Sequence, residues 1–253
     1  MDIRGEVYPR AYGRQSAVTT LRVSREIFRA FPEALLGVVG FAGIRNNGES
    51  AEILEALRQE EDETVRRFQG TSVAGHPHIA CWREAYRAFG AKPGDHPSSI
   101  ENLVRRVTKG QRLRSINRLV DLYNTISLRH LVPVGGEDLE AVDGDVELAF
   151  ATNHEPPVRL LGEAEARPPK PGEVIYKDRI GALCRRWNWK EADRTRLTEQ
   201  TTDGFLVVEG LPPVGRALVE SALADLAALV QNHCGGVLRT GIVGRDQPDI
   251  ALA

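Results

Sequence analysis

The sequence predicts an α+β fold, a compact domain with a central mixed or antiparallel sheet flanked by helices. Two observations carry this. Apolar residues recur at helical spacing through the first half of the chain, whereas short β-branched runs bounded by glycine and proline fill the middle of the second. Helices gathered in one half and strands in the other are the pattern of an α+β domain rather than of alternating βα units.

The elements follow in order. Residues 1–23 carry no strong pattern and read as a partly extended N-terminal extension. Ser24 caps a short helix, Arg25 to Phe31, that ends near Pro32. Leu35 to Ile44 (LLGVVGFAGI) reads as a buried strand. Ser50 to Phe68 is charged and helical, with Ile53, Leu54, Leu57, Val65 and Phe68 available for an apolar stripe. His78 to Phe89 places Trp82, Ala85, Tyr86 and Phe89 on one face, and His76 and His78 flank Pro77 where they can cap it. Ser98 and Glu101 form a capping box for a helix that stops at Gly110. The next helix runs from about Leu113 to Leu128, with Ile116, Leu119, Val120 and Tyr123 turned inward.

After Leu131 the period changes. Asp143-Gly144 signals a hairpin between 139–142 and 146–150, and 167–172 is a proline-rich surface loop. Val174 to Tyr176 and Phe205 to Val208 read as strands. A last helix starts at Pro213, carries Leu218, Val219, Leu223, Leu226, Leu229 and Val230, and ends at Gly235-Gly236. The single domain is expected to span 24–240, with 241–253 as a C-terminal tail.

Bulk properties narrow the function classes. With 42% hydrophobic and 27% charged residues and a formal charge of −2, the chain is no generic polyanion binder, so any nucleic-acid contact must be local. Three distant cysteines with no zinc spacing point to free thiols in a reducing compartment, and no metal is expected. The absence of a long apolar run or signal-peptide core gives a cytoplasmic expectation with no membrane partner. No phosphate-binding loop or G-x-G-x-x-G is present, so no cofactor is expected.

Chemistry concentrates between Ser98 and Asp138. Arg105, Arg106, Lys109, Arg112, Arg114 and Arg118 form a run without an intervening acid, which suits a phosphate backbone or, equally, a solvated helix face. Asn117, Asp121 and Asn124 share a helix face, either as the polar wall of a pocket or as an ordinary exposed surface. Pro133-Val134-Gly135-Gly136 can bring backbone N–H groups close to a ligand or simply turn into a hairpin. Arg185-Arg186-Trp187-Asn188-Trp189 could stack a base or pack in the core, and Thr195 belongs to a polar cluster with Asp193, Thr198, Thr201 and Thr202. Cys184 beside Arg185 is a weak nucleophile candidate, having no histidine partner nearby.

Val120-Asp121-Leu122-Tyr123-Asn124, with Pro133 and Asp138 beyond, resembles the V-D-x-T-N … Q-P-x-H-A-F-D stretch of the tRNA-editing B3/B4 module in the phenylalanyl-tRNA synthetase β-subunit. The likeness extends to about Gly210 and back toward Ser24. The stretches His76 to Tyr86, Ser98 to Arg106 and Arg185 to Trp189 resemble freestanding proteins built from that module. The chain departs from the pattern at Gly135, where the family has His, and at Tyr123, where it has Thr. Glu209 stands one position off the family's pocket glutamate, which on a strand would turn it to the opposite face.

The resemblance implies a deacylase that hydrolyses the ester of a mischarged tRNA in trans, or a protein that keeps the pocket and only binds. It assigns Asn124 to orienting water or substrate, Gly135 and Gly136 to the oxyanion or carbonyl, and Asp138 to the α-amino group or the turn. Asn117, Asp121, Arg185, Asn188 and Thr195 are expected around the substrate. Arg105, Arg106, Lys109, Arg112 and Arg114 are expected on the acceptor end of the tRNA. A transient synthetase contact is the further partner expected.

Overall fold

The structure, a computed structural model, describes residues 18–252. Strand β1 (Thr20–Val23), helix α1 (Arg25–Ala30) and strand β2 (Leu35–Ala42) come first. Helices α2 (Ala51–Arg67), α3 (Pro77–Ala88), α4 (Ser99–Thr108) and α5 (Arg118–His130) follow. Strands then take over: β3 (Val134–Asp138), β4 (Val146–Phe150), β5 (Val158–Arg159), β6 (Ala166–Arg167), β7 (Val174–Lys177), β8 (Ala182–Arg185), β9 (Lys190–Glu191) and β10 (Gly204–Gly210). Helix α6 (Arg216–Cys234) precedes β11 (Val237–Val243) and β12 (Asp249–Ala251). This is the α+β arrangement expected from the sequence.

The helix starts obey local chemistry. Ser24, Ser50 and Ser98 each accept the amide three residues on, and the His76 side chain accepts the His78 amide ahead of Pro77 in the first turn of α3. Glu101 does not complete a capping box. Its fully buried carboxylate instead takes Arg83 and Arg105, each at 2.6 Å.

Two sheets organise the molecule. One is mixed, in the order β12-β1-β4-β7-β8-β9, with β1 and β4 parallel and the other pairs antiparallel. The other is antiparallel, in the order β11-β2-β10-β3. Every residue of β10 is buried. Phe205 and Val207 join a core with Trp82, Tyr86 and Trp187, while Leu206 and Val208 pack with Ile126, Leu122 and Leu226 of α5 and α6. The period of two thus commits opposite faces of one strand to two cores.

Several expectations need correction. Helix α5 begins at Arg118 because the Asn117 side chain caps it, accepting Val120 N–H at 3.0 Å; the preceding Ile116 is exposed. Pro133 to Gly136 is no turn, since Val134–Asp138 forms β3. Asp143-Gly144 closes no hairpin: 139–141 is a 3-10 turn capped by Asp138, and β4 pairs with β1 and β7. On α2 the buried stripe is Ile53, Leu57, Glu61 and Thr64, leaving Leu54 and Val65 exposed. Helix α6 starts after Pro213, at Arg216.

The flanks of the chain differ from expectation too. Residues 20–23 of the supposed extension form β1, and the supposed tail at 241–253 contributes the end of β11 and all of β12. The two pair with Thr20 opposite Ala251. Each segment is too short to declare a period by itself, and the pairing supplies what the pattern lacks. The rest of the expected extension, 1–17, lies outside the described residues. Among the described residues, no helix is long and apolar enough to cross a membrane.

Candidate functional site

A cavity of about 420 Å³ opens where β3 and β10 meet the β8–β9 end of the mixed sheet, with α4 and α5 over it. That volume is in the range of small-molecule sites. Its floor comes from two paired strands. Gly135 lies opposite Val207 and Glu137 opposite Phe205, so Glu137, Phe205, Val207 and Glu209 share one face.

Strand β3 is an edge, and its amides alternate. Glu209 N–H goes to Pro133 O at 3.0 Å, which sets the ladder, while Asp138 N–H turns outward to Thr195 O at 2.9 Å. Gly136 N–H therefore also faces outward, toward the Glu191 carboxylate, whose pKa it holds down. Gly135 N–H points into the ladder. Neither amide is left as an open oxyanion donor, which corrects the expectation for both glycines. Their lack of side chains still shapes the site. A Cβ at Gly136 would lie 2.2 Å from Phe205 O, and one at Gly135 3.2 Å from Glu191 Oε1.

The β8–β9 turn forms the opposite wall. Arg186 and Trp187 take left-handed φ values of 50° and 65°, which reverses the chain sharply. Trp187 is thereby driven into the core, edge-on to Trp82 and Phe31. Trp189 stays at the pocket rim beneath the Arg186 guanidinium, 4.3 Å from its ring centre. Between them Asn188 accepts the Tyr86 hydroxyl at 2.9 Å and donates to Glu209 Oε2 at 2.6 Å.

Three carboxylates line this cavity. Burial pushes Glu209 up to about 7, with the Tyr176 and Asn188 donors holding it from rising further. Burial likewise pushes Glu191 up to about 7, tempered by Gly136 N–H. Glu137 is raised well above the usual carboxylate range by burial and by the nearby Glu191 charge. Its Oε2 is buried without a hydrogen-bond partner among the described residues. The cations around it are engaged: Arg194 holds Asp178 at 2.9 Å and Lys190 holds Glu163 at 2.9 Å. Sequence reasoning missed Glu137 and Glu191 as site residues and turned Glu209 away from the site. The signal for Glu137 was its register two residues from Gly135 on one strand face.

The remaining candidates separate clearly. Asn124 lines the pocket beside Tyr123, and its amide makes no hydrogen bond among the described residues. Asn117 is spent on the α5 cap and on Leu197 O. Asp121 holds the helix start by accepting Ser115 Oγ and Ile116 N–H, and burial raises its pKa. Asp138 caps the 3-10 turn and takes the Thr201 hydroxyl at 2.6 Å, off the pocket wall. Arg185 makes a buried two-pronged bond to Glu173, both at 2.8 Å, and so reaches no ligand. Thr195 is fully buried beside Glu137, whose rise its hydroxyl tempers without a well-aligned hydrogen bond.

The basic run divides in the same way. Arg105 is paired with Glu101 one turn earlier on α4, and Arg112 with Glu61 and Asp62 of α2, so acids outside the run supply the compensation it lacks. Arg106 lines the pocket mouth, and Lys109 and Arg114 are exposed; these three make no ion pair within the described residues. Burial and the surrounding glutamates raise the Cys184 thiol well above its ordinary value, which removes it as a nucleophile. Among the described residues there is no cluster of three or more side chains able to hold a metal ion.

Fold and pocket together define an α+β domain with an acid-lined cavity beneath two helices. The chain belongs to the B3/4 domain family, whose model matches residues 81–235. Among solved structures it is similar to an N-terminal fragment of the phenylalanyl-tRNA synthetase β-subunit from Pyrococcus horikoshii, at 16% identity and a TM-score of 0.46. That likeness covers 91% of this chain and 53% of the fragment, so the chain spans about half the fragment's length. A search of curated proteins gives no match.

Proposed function

We propose that the protein hydrolyses the aminoacyl ester of a mischarged tRNA, with the acceptor end entering past Arg106. The observation that carries this reading is the presence, in one pocket, of an Asn124 amide with no partner among the described residues and a carboxylate on Glu191 with a pKa of about 7. An aminoacyl ester is already activated, so it needs chiefly a placed water and a donor for the developing oxyanion. Glu191, half ionised near neutrality, takes the proton from water as its oxygen attacks the ester carbon. Asn124 donates to the carbonyl oxygen. The same proton then passes from Glu191 to the departing ribose oxygen, releasing free amino acid and tRNA. The sequence resemblance to an editing module supports tRNA as the carrier, and a synthetase is the natural transient partner for a factor that clears its errors.

One observation favours a second reading, binding without turnover: both glycine amides are engaged, so Asn124 is left as the principal oxyanion donor. Release of amino acid from a panel of correctly and incorrectly charged tRNAs separates the two readings. Selective hydrolysis of one mischarged species supports the deacylase. Saturable tRNA binding with no release from any member supports the binding protein.

A further inference from the structure

The deacylase reading does not specify which amino acid the pocket holds, and the arrangement of the carboxylates bears on that question. Glu137 and Glu209 lie on the same face of paired strands, with Phe205 and Val207 between them and Gly135 leaving the space above open. The separation is four residues along the ladder, roughly 14 Å between backbone positions at about 3.4 Å per residue. The strip is therefore an apolar trough with an acid at each end.

Acidic side chains outnumber uncommitted cations along this trough. Three carboxylates face the cavity, whereas the cations nearest them are committed elsewhere: Arg194 to Asp178, Lys190 to Glu163, Arg185 to Glu173. Arg106 is the one lining cation without a described partner, and it stands at the mouth. Glu137 is only 4% exposed, and its Oε2 has no hydrogen-bond partner among the described residues. A buried, unpartnered carboxylate oxygen is costly unless a donor arrives with the ligand. A metal ion is the poorer fit, since no described cluster offers three ligating side chains.

We propose, resting on the deacylase reading, that the pocket selects an aminoacyl group with two ammonium nitrogens joined by a methylene chain, of the lysyl or ornithyl type. Glu137 holds the α-ammonium beside the ester that Asn124 and Glu191 address. Glu209, already oriented by Tyr176 and Asn188, holds the side-chain ammonium. Phe205 and Val207 pack the methylenes. An extended lysyl group with a charge-assisted hydrogen bond at either end covers a span of this order.

The test has two arms. In the first, lysyl-, ornithyl-, methionyl- and tyrosyl-tRNA are offered to the purified protein and release is timed. In the second, calorimetry compares L-lysinamide with L-norleucinamide, which has the same chain but lacks the terminal ammonium. The expected result is at least tenfold faster release and at least tenfold tighter binding for the dicationic members, with both preferences lost in Glu209→Gln. Faster release of the methionyl or tyrosyl ester overturns this inference and leaves the deacylase reading intact. Lysinamide preferred over norleucinamide with no tRNA hydrolysed upholds the pocket assignment and overturns the deacylase. Equal affinity for the two amides overturns the assignment without recourse to any variant.

Discussion

Asn188 Nδ2 donates to Glu209 Oε2 at 2.6 Å, while its Oδ1 is fixed by the Tyr86 hydroxyl at 2.9 Å. The Glu209 carboxylate can only accept, so it settles which way the amide points, and the Tyr86 hydroxyl donates to the oxygen on the other side. Because that bond lowers the Glu209 pKa, Asn188→Leu moves it upward from about 7. Carbon-detected NMR titration of the glutamate carboxyls reads the shift, and an unmoved or lowered value contradicts the arrangement.

Asn124→Ala tests the oxyanion assignment. Loss of a placed donor lowers ester hydrolysis by about 10²–10³ while leaving tRNA affinity nearly unchanged. Single-turnover release together with filter binding separates the two quantities. Unchanged turnover removes Asn124 from the mechanism.

Glu191→Gln stabilises the protein at alkaline pH. The folded pKa of about 7 lies above the ordinary 4.5, so the folded state binds the proton more tightly than the unfolded chain. The associated stability is complete below about pH 4.5 and is lost as pH rises through 7, by on the order of 3 kcal/mol. Glutamine keeps an acceptor for Gly136 N–H without the charge. The variant's melting temperature at pH 8.5 therefore exceeds the parent's by several degrees, and the gap closes at pH 5. A gap that persists at pH 5 defeats this account.

Two arginines of one run are expected to behave differently. Arg106→Ala weakens tRNA binding and reduces the slope of log affinity against log salt by about 0.7–0.9. Arg112→Ala instead lowers the melting temperature, because it strips a partner from the fully buried Glu61, and leaves the salt slope alone. Equal effects on the salt slope would return Arg112 to the tRNA surface.

Alkylation offers a further check. Burial raises Cys184 well above its ordinary value and lifts Cys81 and Cys234 to about 11. The native protein resists iodoacetamide at pH 8 at all three, and denaturant exposes them. Rapid native labelling of Cys184 would reopen its candidacy as a nucleophile.

The fold was legible where one element carries its own period. Helix α3 and its Trp82, Ala85 and Tyr86 stripe, the Ser98 cap, and strands β2 and β10 all follow from local sequence. Elements that exist only through a distant partner were not: β3 looks like a glycine turn until β10 pairs with it, and β1 and β12 need each other. The same limit governs the site. Asn124 could be picked out by helical spacing and Asn188 by the resemblance, whereas Glu137 and Glu191 are brought into one pocket by sheet register and by the β8–β9 turn. Arg112 and Arg185 looked free because their acids, Glu61 and Glu173, lie far off or out of pattern in the sequence.

The pairing of Thr20 with Ala251 has a mechanical consequence. Because β1 and β12 run antiparallel, the two ends of the described chain emerge side by side. Tension applied through them peels the strands apart one hydrogen bond at a time rather than shearing all of them together. The seam at the margin of the mixed sheet is then the first to yield. The rungs of β10 against β3 lie in the other sheet and bear load only after the clasp has opened. A molecule held by its ends would lose its closure at low force while the acid-lined trough still kept its shape.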